Sequence, residues 1–158
     1  MPLLIRWPGM TQPNSSCSTP VVSMDFYPTM LEMAGLPLRE EQHKDGISLL
    51  PLLEGNDLQR AYLYWHFPHY QGEGAYPASA VRYRNYKLVR NFHFEDYRLF
   101  NVADDPYERC NLIEQEPELA QKLKTVLSEW FDEVGAERPL KNTDTAIIDE
   151  IKEDYRDK

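Results

Sequence analysis

Residues 117–135, PELAQKLKTVLSEWFDEVG, constrain the fold of this chain more than any other segment. Leu119, Leu123, Val126, Leu127, Trp130 and Val134 recur at helical spacing. They form one apolar stripe, which a helix must bury against another layer. Pro117 suits the first turn, and Gly135 suits the left-handed position that ends a helix. The layer stands immediately upstream. ASAVRY, YKLVRNF and YRLFNV are three strand-like runs, and residues 61–65 offer a fourth. Arg84-Asn85 is a connection of hairpin length, and a second turn lies near Glu95-Asp96. Alternation in the middle run puts Tyr86, Leu88 and Arg90 on one face, with Lys87 and Val89 on the other. The expected unit is an antiparallel sheet of three to four strands packed by a C-terminal helix.

The first sixty residues read differently. LLIRW is a short apolar run ended by Pro8-Gly9, which predicts a buried strand. Such a strand needs neighbours, and nothing precedes it in this sequence. PVVSMDFYPTMLEMAG predicts a helix over residues 25–35 with Asp25 as its cap. Pro28 then falls harmlessly in the first turn, Phe26, Met30, Met33 and Ala34 share a side, and Gly35 stops the helix. Ile47 to Leu53 is an apolar segment expected to pack on the core before Gly55. From Ala136 the chain is polar and charged, weakly helical or disordered towards its end.

Composition narrows the function classes. The formal charge is −9, which disfavours a nucleic-acid partner. No apolar run reaches the roughly 18–20 residues that cross a membrane. MPLLIRWPG lacks a charged leader and a cleavage site, so it is not a signal peptide and the chain as encoded is expected in the cytoplasm. Cys17 and Cys110 are too few for a disulfide framework and are expected to be free, although a fold could bring them together.

No self-contained catalytic motif is present. Neither cysteine has an adjacent base, no C-x-x-C or H-E-x-x-H occurs, and there is no P-loop or G-x-S-x-G elbow. Asp104-Asp105-Pro106 reads as a turn before it reads as a cation site. Arg82, Arg84, Lys87, Arg90 and Arg98 form a locally basic run, suited to sulfate or carboxylate or simply balancing nearby acids. The densest chemistry is YWHFPHYQGEG, residues 64–74. His66 and His69 can hold an anion or act on a proton, and Trp65, Phe67 and Tyr70 offer flat faces to a sugar ring. A buried aromatic corner with satisfied histidines explains the same residues equally well. Gly72 and Gly74 then permit a loop that covers a pocket.

PLLIRWPG, DFYPTMLEMAGLPL, KDGISLLPLLEG, YLYWHFPHY, SAVRYRNYKLV and YRLFNVADDPYERCNL, in this order, resemble the C-terminal part of a type I sulfatase. Those enzymes are arylsulfatase-like hydrolases of the alkaline phosphatase superfamily. The likeness extends to about residue 142 and is greatest to bacterial enzymes that remove sulfate from sugars, similar to N-acetylgalactosamine-6-sulfatases and iduronate sulfatases.

The resemblance implies an α/β fold, here the C-terminal fragment of an alkaline-phosphatase-like sulfatase. Residues 1–59 would be a remnant of the large α/β domain, 60–135 the small sheet-and-helix subdomain, and 136–158 a polar tail. It implies substrate contacts from His69 first, His66 second, then Ser79 and Arg82, near the mouth of an active site. It implies calcium and a formylglycine nucleophile in the full-length enzyme, but no cofactor, metal or catalytic residue in this chain. Cys17 is followed by Ser18-Thr19-Pro20 and Cys110 by Asn111-Leu112-Ile113, and neither fits the C-x-P-S-R type motif. The expected partners are a sulfated saccharide and a separate chain carrying the N-terminal sulfatase region. Inactivity alone is therefore expected. The alternative is a non-enzymatic module that binds sulfated carbohydrate or another protein. A phosphoesterase of the same superfamily fits the WHFPHY and DDPYE segments less well. A full-length parent could be periplasmic or secreted.

Overall fold

The computed structural model describes residues 2–70 and 76–140. Gly72, Gly74 and the tail from residue 141 lie outside the described residues. The chain divides into two compact units, residues 1–60 and 61–158.

In the first unit LLIRW forms no strand, which corrects the sequence expectation. Residues 2–7 join no ladder, and Leu4 is 94% exposed. A strand is defined by hydrogen bonds to a neighbour, and no described residue pairs with this segment. The predicted helix does form, as α1 (Phe26–Met33), after a 3-10 turn at Ser23–Asp25. Gly35 ends it at φ 67°.

Asp25 stands at the cap position, but its carboxylate does not cap α1. Oδ2 accepts the Val22 N–H at 2.9 Å, and Oδ1 accepts the Ile47 N–H at 3.1 Å. Arg60 completes the set, donating from its two terminal nitrogens to Oδ1 at 2.7 Å and Oδ2 at 2.8 Å. α1 consequently buries Pro28 and Thr29, while Met30 is 63% exposed. The Phe26–Met30 side expected to face a core faces solvent instead. The Thr29 hydroxyl donates to the Asp25 carbonyl and accepts the Leu49 N–H. Leu49 is buried and leads into the short α2 (Leu50–Leu53).

Gly46 is buried against Met24, and a Cβ added there would collide with the Met24 carbonyl group, 2.8 Å from its carbon. Both partners are backbone, so neither can rotate away. Gly46→Ala is expected to destabilise this unit by about 1–3 kcal/mol, as overpacking does. Faster amide exchange at Ile47 and Leu49 would show it, and unchanged exchange would refute it.

The second unit is the predicted meander and helix. β1 (Tyr62–Phe67), β2 (Ala78–Tyr83), β3 (Tyr86–Asn91) and β4 (Asp96–Asn101) pair antiparallel in sequence order. Tyr83 pairs with Tyr86, so Arg84-Asn85 is the two-residue turn, with Arg84 at φ 53°. Register aligns Tyr64, Val81, Leu88 and Leu99 in one row across the sheet. α3 (Pro117–Val134) covers that row with Ala120, Leu123, Leu127 and Phe131. Burying a leucine or phenylalanine side chain in this way stabilises by roughly 1.5–3 kcal/mol. The stripe is rotated from the sequence reading. Phe131 is buried, whereas Val134 is 47% exposed. Gly135 ends α3 at φ 63°, and the Ala136 N–H closes on the Phe131 carbonyl at 2.9 Å. Among the described residues no helix is long and apolar enough to cross a membrane.

Candidate functional site

β1 extends to Phe67, so His66 is a strand residue rather than the loop residue expected. Strand parity then divides the aromatic segment. His66 pairs in register with Ser79 and points with it to the α3 side. Trp65 and Phe67 point to the opposite face, above Ala80 and Ala78.

His66 Nε2 lies 2.8 Å from the Glu137 carbonyl, and Nδ1 lies 2.6 Å from the Ser79 hydroxyl. A carbonyl only accepts, so Nε2 carries the proton and Nδ1 accepts from Ser79 in the neutral ring. The imidazole edge packs on Phe131 at 5.3 Å between centroids. Ser79 is 2% exposed. His66 and Ser79 are thus engaged with each other under the helix and the chain that follows it.

Arg82 belongs to the opposite face, in register with Leu63 and Lys87, and its Nε donates to the Arg84 carbonyl at 3.0 Å. His69 lies beyond the end of β1, exposed, with its ring edge-on to Phe67 at 5.6 Å. The structure therefore pairs two of the four predicted residues and leaves His69 and Arg82 apart from that pair.

A cluster missed in the sequence gathers at the end of the sheet where β1 stops and β3 turns into β4. The Tyr70 hydroxyl is 2.9 Å from His93 Nδ1, and Tyr76 stacks on the same ring at 4.7 Å. Phe94 meets Tyr76 edge-on at 4.8 Å. The hairpin turn brings His93 and Phe94 beside Tyr70, which is 23 residues from His93 in the chain. The aromatic density of NFHFED was the signal available.

The basic run is mostly engaged locally. Lys87 reaches Glu108 at 2.6 Å, and Arg98 reaches Asp96 at 3.1 Å. Arg90 lies over the Phe92 ring at 4.7 Å. On the helix side, burial, then Tyr62, Glu133 and Glu129, push the Tyr64 phenol above its ordinary value, and its ring stacks on Trp130 at 4.7 Å.

The acidic turn acts as a turn. Asn101 donates to Asp104 at 2.6 Å, and the Cys110 N–H donates to Asp105 at 2.8 Å. Among the described residues no group of three or more His, Cys, Asp or Glu is placed to hold a metal ion. Cys17 and Cys110 are both free and exposed.

The family described as N-sulphoglucosamine sulphohydrolase, C-terminal, matches residues 1–134. The chain belongs to this family. A sulfatase of Formosa agariphila is 35% identical over 147 residues, which is 83% of this chain and 27% of that protein. The N-acetylglucosamine-6-O-sulfatase of Bacteroides thetaiotaomicron is 27% identical over 145 residues, covering 84% of this chain and 26% of that one. The solved structure of a 2-O GAG sulfatase superposes at a TM-score of 0.60 with 26% identity, over 71% of this chain and 25% of the other. The chain thus spans about a quarter of the length of the sulfatases it matches. The four-stranded antiparallel sheet with its helix is a sulfatase C-terminal region of alkaline-phosphatase-like fold, as its resemblance in sequence implied.

Proposed function

We propose that this chain forms the substrate-facing C-terminal part of a sulfatase that hydrolyses sulfate esters of sugars. The match of residues 1–134 to a sulfatase C-terminal family carries the reading. Relatives named for N-acetylglucosamine-6-O-sulfate and for 2-O GAG chemistry support a sugar as the ester's alcohol. His69 is exposed beyond β1 and contacts the sugar sulfate or a hydroxyl. Arg82 supplies a guanidinium group. His66 and Ser79, bonded to each other, position the end of β1 rather than touch substrate.

In this reading a formylglycine nucleophile and calcium, which the sequence resemblance implies for a full-length enzyme, belong to a sulfatase region that a partner chain or longer polypeptide supplies. The purified chain is then expected to show no turnover of an aryl sulfate. Turnover at the rate of a full-length sulfatase, with contamination excluded by mass analysis, would refute this. The exposed aromatic surface also favours a second reading, a non-enzymatic module for sulfated carbohydrate. Mixing the chain with an N-terminal sulfatase region separates the two, because recovered turnover supports only the enzyme reading.

A further inference from the structure

The chain does not leave the fold where α3 ends. Gly135 turns it out of the helix at φ 63°, and the Ala136 N–H closes on the Phe131 carbonyl, which satisfies the last turn. Ala136 then packs against the core, and the Glu137 carbonyl comes within 2.8 Å of His66 Nε2 on β1, 71 residues away in sequence. The helix closure does not require that approach. The Nε2–H of His66 is the donor that directs it.

His66 is prepared for this by its other nitrogen. Ser79 lies 2.6 Å from Nδ1 and is almost fully buried, so its hydroxyl proton goes to Nδ1 rather than to solvent. The ring's own proton is then left on Nε2, facing Glu137. Phe131, Phe92 and Trp130 meet the imidazole edge-on at 5.3, 6.1 and 6.4 Å and fix its plane. Arg138 adds contacts of its own, over the Phe131 ring at 5.5 Å and to Asp132 at 3.3 Å. That ion pair is 49% and 76% exposed and is weak in water. The bond from His66 carries the attachment.

We propose that residues 136–138 form a strap, fastened to β1 by His66 in the tautomer that Ser79 selects. The strap ties the end of α3 to the end of β1, from which Pro68 and His69 depart. His66 is a positioning residue in this device, and what it holds is main chain. The oxygen it holds belongs to the Glu137–Arg138 peptide bond. The same hydrogen bond therefore withholds that peptide bond from a protease, whose oxyanion hole must take the oxygen. The strap is tested without a sugar, so it and the sulfated-sugar reading can each fail alone.

The test is cleavage of the whole folded chain by a glutamate-specific endoprotease, with mass analysis of the products at Glu137–Arg138. His66→Phe keeps a flat ring against Phe131 and Phe92 but removes both hydrogen bonds. It is expected to speed cleavage there about tenfold. His66→Gln keeps an oxygen for Ser79 and an N–H for Glu137, and is expected to stay within about threefold of the parent. Asp132→Asn is expected to change the rate less than about twofold. Nitrogen NMR of the neutral imidazole in the parent should show the proton on Nε2. Amide exchange at Phe67, opposite Ala78 in the ladder, should rise with His66→Phe and not with His66→Gln. Circular dichroism melting checks that the variants keep sheet and helix. If His66→Phe does not fold, Ser79→Ala replaces it, since it frees the ring to turn, and about threefold faster cleavage is expected. Cleavage of the folded phenylalanine or alanine variant at the parent's rate overturns the strap. So does a proton on Nδ1, or release by Asp132→Asn equal to that by His66→Phe. Faster cleavage with unchanged exchange at Phe67 would show that the segment does not hold β1 and would overturn the tie.

Discussion

Asp25→Ala is expected to cost the first unit about 3–5 kcal/mol, the range for removing one member of a buried ion pair. Asp25 is fully buried, and its two oxygens accept four hydrogen bonds, from Val22, Ile47 and twice from Arg60. The substitution leaves a guanidinium without its counter-ion and two backbone N–H groups without acceptors, each costly when buried. Amide exchange at Ile47 and Leu49, the second held by Thr29, reads the effect directly. Exchange rates equal to the parent's would refute it. Asp25→Asn is expected to lose nearly as much, since one of its two amide atoms is a donor facing donors.

The same site sets an acid limit. Burial alone raises the Asp25 pKa, but Arg60 and the Val22 and Ile47 N–H groups outweigh it and hold the carboxyl below its ordinary value. A lowered folded pKa means that the unfolded state binds the proton more readily. The contribution is therefore complete above the ordinary aspartate value of about 3.9 and is lost as pH falls through the folded pKa. Asp25→Ala should lack this acid-side loss while being weaker at neutral pH. A parent and variant whose stabilities decline in parallel below pH 4 would contradict the assignment.

Phe131→Ala is expected to destabilise the sheet-and-helix unit by about 3–5 kcal/mol. Phe131 is buried at the end of α3, against His66, Phe92 and Trp130. Its removal opens a cavity between helix and sheet and withdraws the ring that supports His66. Val134→Ala, one turn on and 47% exposed, should stay within about 0.5 kcal/mol of the parent. Urea unfolding followed at 222 nm compares them. Equal effects at the two positions would show that α3 docks with a different face.

The sequence showed the members of the second unit clearly but not their exact facing. The stripe Leu119, Leu123, Leu127 pointed to a helix, and continuing by four reaches Phe131. Trp130 and Val134 also fit a helical spacing from Val126 and Leu127, so periodicity alone permitted a rotated stripe. The register of the sheet decided between them, because Phe131 has Phe92 and His66 to meet. The site was less legible still. His66 finds the Glu137 carbonyl 71 residues away and Ser79 13 residues away, contacts that no local pattern encodes. Ending β1 at Trp65 rather than Phe67 was enough to place His66 in a loop and hide the division of faces.

By itself the sequence determined the sulfatase family, the order of the meander, its first hairpin turn, and the start and stop of α1 and α3. These follow from turn residues and from periods of 2 and 3.6, which act between neighbours in the chain. The tertiary structure alone decided that LLIRW makes no strand, that Asp25 clamps Arg60 instead of capping α1, and that Trp65 and His66 serve opposite faces. Each of these depends on a partner distant in sequence, and a hydrogen bond or a buried face exists only once that partner is in place.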